Sequence, residues 1–468
     1  MQKLLGEQLV EKKLLTEKEL QMAVERQQLQ GGRIGDNLVA LGLISEEELS
    51  TFFKRTPQPP KTVEETGLNI SFIADLVMKH VLFMGEFTLA EVAEKVKLPA
   101  SVLDKAVDVL RREHLLETKG AAQLTKAAFK FTITELGKNR ATDLLDVCRY
   151  VGPAPVSFDD YREMVAVQTV KSVVVREESV REAFSHLIVS PGLLMRLGPA
   201  VSSGKAIFLY GPPGNGKTSI AETIGKVLPG TIYMPHAVFV GNEIVTVYDP
   251  VNNIPVESEG TSESVDQRWV HVRRPVVMAG GELTLKTLDL EFNSVTKFYE
   301  APLQMKANNG LFIIDDFGRQ QMDPQNLLNR WIVPLERRID ILTLHTGMKF
   351  EIPFDQLVVF STNIEPKNLV DEAFLRRIRY KIMIDHPTQE EYEQIFMTVC
   401  ESNGITFKKD MFDYLIDNYY KQLNVKLNAC HPRDIIDHII DIAHYREHPP
   451  ELTKETISAA WENYFVEL

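Results

Sequence analysis

Cysteine is scarce in this 468-residue chain: Cys148, Cys400 and Cys430 lie far apart, without any CxxC or Cys/His spacing that would hold a metal or a disulfide framework. They read as ordinary thiols of a reducing compartment. Long apolar runs are missing too. None approaches the roughly 20 residues that cross a bilayer, and the N-terminal MQKLLGEQLVEKKLLTEKEL is charged throughout, unlike a secretory signal. A cytoplasmic protein without membrane insertion is expected. Positive charge is in deficit, with 52 Lys and Arg against 65 Asp and Glu for a formal net charge of -13, which argues against the whole molecule binding polyanions. What is present is a 44% hydrophobic content, enough at this length for more than one core and, by usual domain sizes, roughly three units.

Residues 4–27 laid over 33–56 reveal a repeat, LLGEQLVEKKLLTEKELQMAVERQ against RIGDNLVALGLISEEELSTFFKRT, with QLQGG between the copies. In each copy a Thr or Ser (Thr16, Ser45) precedes an acidic first turn, the pattern of an N-cap followed by an amphipathic helix. The expected result is a small helical tandem-repeat module over 1–56, followed by a Pro-rich linker over 57–68. Three helical patterns and a two-stranded wing over 69–140 spell a winged helix. Its helix near 101–113 offers Lys105, Arg111 and Arg112 but also Asp104, Asp108 and Glu113, so it presents no net positive field. Protein docking or spacing is preferred there to DNA binding. A helical connector over 141–200 leads to an α/β domain over 201–386 and a helical segment over 387–468.

The strongest signal is GPPGNGKT, 211–218, which fits GxxxxGK[ST] between a predicted strand and a predicted helix. A backbone curled at Gly214 and Gly216 points N–H groups at a polyphosphate, Lys217 reaches its terminal oxygens, and Thr218 ligates magnesium. The nucleotide surface is expected to comprise Gly211, Pro213, Gly214, Asn215, Gly216, Lys217, Thr218 and Ser219. A second strand, LFIIDD, ends in Asp315, placed to hold the magnesium, and in Asp316, at the position of a water-activating residue. Asp316 is one methylene shorter than the usual Glu, and a helix N-cap or solvated turn residue with vestigial hydrolysis is the alternative. A third strand, QLVVFSTN, brings Asn363 to the same edge, where it can position water. Before it, RRIDILTLHTGMKFEIPF alternates about HTG as a projecting hairpin. Segment 231–305, between the first two motifs, is rich in strand patterns and mixes Arg268, Trp269, His271, Arg273 and Arg274, as substrate-contacting or single-strand-binding loops do and as a sheet with one wet face does too, and the sequence assigns it no role.

These pieces in this order resemble the AAA+ ATPases, and the hairpin before the third strand is similar to the MoxR-like branch. The likeness covers about 185–468. It implies a P-loop core with a helical lid, ATP and magnesium as ligands, and a homo-oligomeric ring, usually a hexamer, with ATP at each subunit boundary. It also implies roles for Asn363 as first sensor, Arg377 as arginine finger, with Arg376 as the alternative, and Arg433 as second sensor. The N-terminal repeat resembles the tandem cyclic-di-GMP-binding domain at the front of type II secretion and type IV pilus ATPases. That likeness implies a ligand surface of Leu5, Gly6, Gln27, Arg33, Ile34 and Gly35, although Leu4 stands in place of the first copy's arginine. The expectation is an ATPase that remodels an unidentified protein partner, with an ATP-binding scaffold of little turnover and a DNA-binding regulator as alternatives.

Overall fold

The computed structural model describes residues 9–10, 14–30, 34–45, 56–121, 129–173, 175–256, 265–321, 323–369 and 375–465. At the front, α1 (Glu17–Gln30) and α2 (Ile34–Ala40) enclose Leu9, Leu15, Ala23, Leu38 and Ile44. Leu9 and Leu38, and Leu15 and Ile44, occupy equivalent positions of the repeat, so its two copies bury their matching apolar residues together. Thr16 caps α1 as its position predicts: its hydroxyl accepts from Glu19 N–H at 3.3 Å while the Glu19 carboxylate accepts from Thr16 N–H at 2.7 Å. The helix expected after Ser45, and Leu5, Gly6 and Arg33 of the expected ligand surface, lie outside the described residues.

The next body runs α3 (Ile70–Val81), β1 (Glu86–Thr88), α4 (Leu89–Val96), α5 (Ala100–Arg112), β2 (Leu116–Ala121), β3 (Phe129–Ile133) and α6 (Glu135–Val147). Instead of two strands it has a three-stranded antiparallel sheet, ordered β1-β3-β2. The additional strand, Glu86–Thr88, is too short to announce itself by alternation. Residues 57–68 are Pro-rich but not loose, for Val63 and Leu68 are buried in the core of this body.

Beyond β4 (Val156–Ser157), α7 (Phe158–Val167), α8 (Glu177–Ala183) and α9 (Pro191–Ser202) the chain enters β5 (Ile207–Tyr210) and α10 (Lys217–Val227). Segment 231–305 then divides. Strands β6 (Thr231–Pro235) and β9 (Trp269–Arg273) pair antiparallel, while β7 (Ala237–Val240) and β8 (Glu243–Thr246) form a hairpin in a second sheet. The piece β10 (Val276–Ala279), in contrast, joins the central parallel sheet beside β13 (Leu311–Ile314). Two short strands, β11 (Glu291–Phe292) and β12 (Tyr299–Glu300), and the turn of helix α11 (Leu303–Lys306) come between.

Past α12 (Pro324–Arg337), the expected hairpin is present as β14 (Ile339–Thr343) and β15 (Lys349–Pro353). It does not project freely. Leu342, Leu344, Phe350 and Ile352 are buried in one core with Tyr161 of α7 and Val238 and Val245 of the β7–β8 hairpin. Strand β16 (Leu357–Thr362), the turn α13 (Pro366–Leu369) and β17 (Tyr380–Met383) complete the sheet, whose order is β10-β13-β16-β5-β17 with every pairing parallel. Such a sheet buries both faces, which explains the uninterrupted apolar run of β13 and the apolar Leu357–Phe360 of β16. A last helical body holds α14 (Gln389–Ser402), α15 (Lys409–Leu415), α16 (His431–Tyr445) and α17 (Lys454–Tyr464) about its own core. Among the described residues, no helix is long and apolar enough to cross a membrane.

The β7–β8 hairpin also serves the front of the molecule. Ala237 and Ile244 lie in the core of the α3–α6 body, and Phe239 packs on Phe72 with ring centroids 4.6 Å apart. A buried ion pair fastens the junction. Arg268 Nη2 meets Asp266 Oδ2 at 2.8 Å with both side chains 3% exposed, Arg268 Nη1 donates to Thr66 O at 2.9 Å, and Asp266 N–H donates to Pro57 O at 2.9 Å. Removing one partner strands the other charge in the interior. Arg268→Ala is therefore expected to destabilise the protein by about 3–5 kcal/mol, read as a lower urea midpoint, with the Asp266→Ala/Arg268→Ala double variant recovering part of the loss. An unchanged midpoint would mean that the pair ties nothing together.

Candidate functional site

Tyr210 ends β5, and the glycine loop turns from there into α10. Gly216, at φ 76°, is the N-cap of that helix, a left-handed backbone that a side chain would strain. Gly214, at φ 74°, is constrained twice, because a Cβ there would also stand 2.6 Å from Cys430 Sγ. Asn215 and Lys217 are buried, while Pro213, Gly214, Gly216 and Ser219 are exposed along the rim. Lys217 Nζ donates to Pro212 O at 2.7 Å, so the ammonium is folded over the loop it serves. Burial pushes it below the ordinary lysine range, the Asp315 and Asp316 carboxylates oppose that shift, and Arg319 adds to it.

Asp315 follows β13 directly, and Thr218 Oγ1 donates to its Oδ2 at 2.8 Å. A hydroxyl and a carboxylate side by side are hard oxygen donors of the kind magnesium takes, so the two residues expected to hold the metal are brought together and fit it. Asp316 is an exposed turn residue at φ 47°, and the N-cap of the following helix is Asp323 instead. A left-handed residue just after the strand favours Asp or Asn over the longer Glu, which gives a local physical reason for the departure noted in the sequence. Asn363, one residue past β16, reaches across with Nδ2 donating to Asp316 Oδ1 at 3.3 Å. Thr218, Asp315, Asp316 and Asn363 thus share one edge of the sheet, at the carboxyl ends of its strands.

The arginines lie on other elements. Arg377, shortly before β17, donates through Nε to the Glu336 carboxylate near the end of α12. Arg433 is exposed in the first turn of α16, its N–H bonded to Cys430 O. Gln27 and Ile34 are described and half-buried at the end of α1 and the start of α2, and Gly35 lies within α2.

Sequence reasoning missed the segment Asn428–Cys430, which precedes α16 and touches the loop directly. Cys430 N–H donates to Gly214 O at 2.9 Å and Ala429 N–H donates to Asn215 Oδ1 at 3.0 Å. No local pattern marks a contact between positions more than two hundred residues apart. The five charged and aromatic groups at 268–274 also prove structural in large part. Trp269 is buried with Arg268, Arg274 donates to Pro229 O at 2.9 Å and Gln168 O at 3.1 Å, and His271 Nε2 lies 2.6 Å from Thr231 Oγ1.

Residues 388–463, which span α14 to α17, match a family model described as Domain of unknown function (DUF8689). The vesicle-fusing ATPase of Dictyostelium discoideum is 52% identical over 50 residues, or 11% of this chain and 6% of that protein. Vesicular-fusion protein sec18 of Schizosaccharomyces pombe is 50% identical over 48 residues, or 10% and 6%. The chain therefore spans a small fraction of either relative. Among solved structures, the Thermotoga maritima RuvB Holliday junction branch migration motor gives a TM-score of 0.33 at 12% identity, over 66% of this chain and 72% of that one. NtrX from Brucella abortus in complex with ADP gives 0.37 at 13%, over 68% and 64%. At these scores the structural likenesses assign no family.

Proposed function

We propose that this protein is an AAA+ ATPase that assembles as a homo-oligomeric ring, with a hexamer expected, and couples ATP hydrolysis to remodelling of a protein partner. The observation that carries the reading is the Thr218–Asp315 and Asp316–Asn363 pairing beside a glycine loop, on a parallel sheet ordered β10-β13-β16-β5-β17. The short stretch of identity with a vesicle-fusing ATPase supports its nucleotide-hydrolysing part. Loop amides and Lys217 receive the phosphates, and Asp316 with Asn363 orients the attacking water and takes its proton. Thr218 and Asp315 would hold a magnesium ion, which when bound offsets phosphate charge. The α14–α17 body is the lid in this reading and carries Arg433 as second sensor, while Arg377 of the α/β domain is the finger.

The helix-strand-helix-helix-strand-strand order of 70–133 supports the winged-helix reading, as a docking module. On α5 the exposed Arg111 lies 3.4 Å from Asp108, and Lys105 and Arg112 stand beside Asp104 and Glu113, so this region offers a phosphate backbone no net positive field. For the front repeat we propose protein docking, linked to a pilus or secretion apparatus, with weak cyclic-di-GMP binding at most, because Leu4 supplies no guanidinium. One observation favours a second reading, a nucleotide-binding scaffold with little turnover: Asp316 in place of the longer acid. Steady ATP turnover by the purified chain, lost together with nucleotide binding in Lys217→Ala, is the expected result. Tight binding without turnover would favour the scaffold, and no binding would overturn both.

A further inference from the structure

Asn215 occupies a variable position of the GxxxxGK loop, and its side chain is turned toward the lid. Its Oδ1 accepts from Ala429 N–H at 3.0 Å, while Nδ2 makes contacts of 3.4 Å, to Pro212 O, Pro213 O and Asn428 Oδ1. Beside it Cys430 N–H reaches Gly214 O at 2.9 Å, an approach that the missing Cβ of Gly214 permits. The lid turn is held just as firmly from behind. His386 Nδ1 donates to Asn428 Oδ1 at 2.8 Å and to Leu427 O at 2.9 Å, so this nitrogen carries the proton. Asn428 Nδ2 then donates to His431 Nε2 at 3.2 Å, and the opposite nitrogen, Nδ1, meets Tyr420 Oη at 2.9 Å, which meets Tyr392 Oη at 2.7 Å. A continuous chain of hydrogen bonds thus runs from the phosphate loop into the lid core.

We infer that Asn215 is a positioning residue that registers the lid against the phosphate loop, so that occupancy of the loop is relayed to the first turn of α16 and to Arg433. The inference deepens the ATPase reading and rests on it. Arg433 lies three residues beyond Cys430, on a helix whose entry is bonded to the loop at two successive backbone amides. A shift of the loop on taking up phosphate must either carry that turn with it or break those bonds. A residue of this kind acts through another, so its loss is felt in turnover more than in binding.

The test compares Asn215→Ala, Asn428→Ala, Arg433→Ala and Asn215→Ala/Arg433→Ala in the full chain, measuring kcat and KM for ATP and the affinity of a non-hydrolysable ATP analogue. Misplacement of a catalytic group by about 1 Å can cost on the order of a hundredfold, so kcat is expected to fall ten- to a hundredfold in both asparagine variants with analogue affinity within about threefold. Adding Asn215→Ala to Arg433→Ala should cost little more, because the two residues act in one unit. Bound analogue should slow hydrogen exchange at 427–434 in the wild type and not in Asn428→Ala, which leaves the loop's own sequence untouched. Equal kcat in all variants, or losses that multiply in the double variant, overturns the inference and leaves the ATPase reading standing. A wild type that binds the analogue but turns nothing over sinks hydrolysis alone, and the exchange comparison still decides the inference. A wild type that binds no analogue overturns both.

Discussion

Arg377→Ala is expected to leave ATP binding intact and to lower turnover on the order of a thousandfold, the scale of a missing arginine finger. The side chain sits shortly before β17 with its Nε donating to the Glu336 carboxylate, and a guanidinium is the group that suits an anion brought up from outside. If that anion is the γ-phosphate of a neighbouring subunit, the defect belongs to the interface and complements in trans. Mixing Arg377→Ala with Lys217→Ala protein should then restore part of the activity, since some boundaries pair an intact loop with an intact arginine. The measurement is turnover across mixing ratios. A mixture as inactive as its components would argue against a finger acting across subunits at Arg377, and the same series on Arg376→Ala separates the two neighbours.

The parts of the site written into consecutive residues were legible in the sequence. GPPGNGKT carries its own turn and helix start, LFIIDD its own strand end, and Thr16 its own cap, so each depends on no other part of the chain. Parallel pairing is another matter. Val276–Ala279 looks like any apolar strand, and only its neighbour Leu311–Ile314 shows that it belongs to the central sheet and not with the strands before it. The role of the β7–β8 hairpin was hidden for the same reason, since Phe239 meets Phe72 and Ala237 enters a core built far upstream. Asn215 shows the limit most clearly. Its residue type was plain to read, but its partner is a backbone amide at Ala429, and a backbone amide leaves no trace in a sequence.

Asp316→Asn is expected to keep ATP bound and to lower turnover about a hundred- to ten-thousandfold, the contribution of a positioned general base. The substitution is unusually clean here. Asp316 stands at φ 47°, a left-handed conformation that Asn tolerates as well as Asp does, and the bond from Asn363 Nδ2 ends on an Oδ1 that Asn retains. What disappears is one negative charge and one site for a proton. Asp315, the partner of Thr218, is untouched, so the donors expected to hold the metal stay in place. Asp316→Glu supplies the matching control: it restores the charge with a longer reach, so turnover is expected to match or exceed the wild type, while the left-handed backbone costs roughly 1 kcal/mol in stability. Calorimetry with the non-hydrolysable analogue and a steady-state turnover assay read the two effects separately. Wild-type turnover in Asp316→Asn would show that this aspartate is not the residue that orients water. Loss of analogue binding in the same variant would place its charge in the nucleotide surface instead.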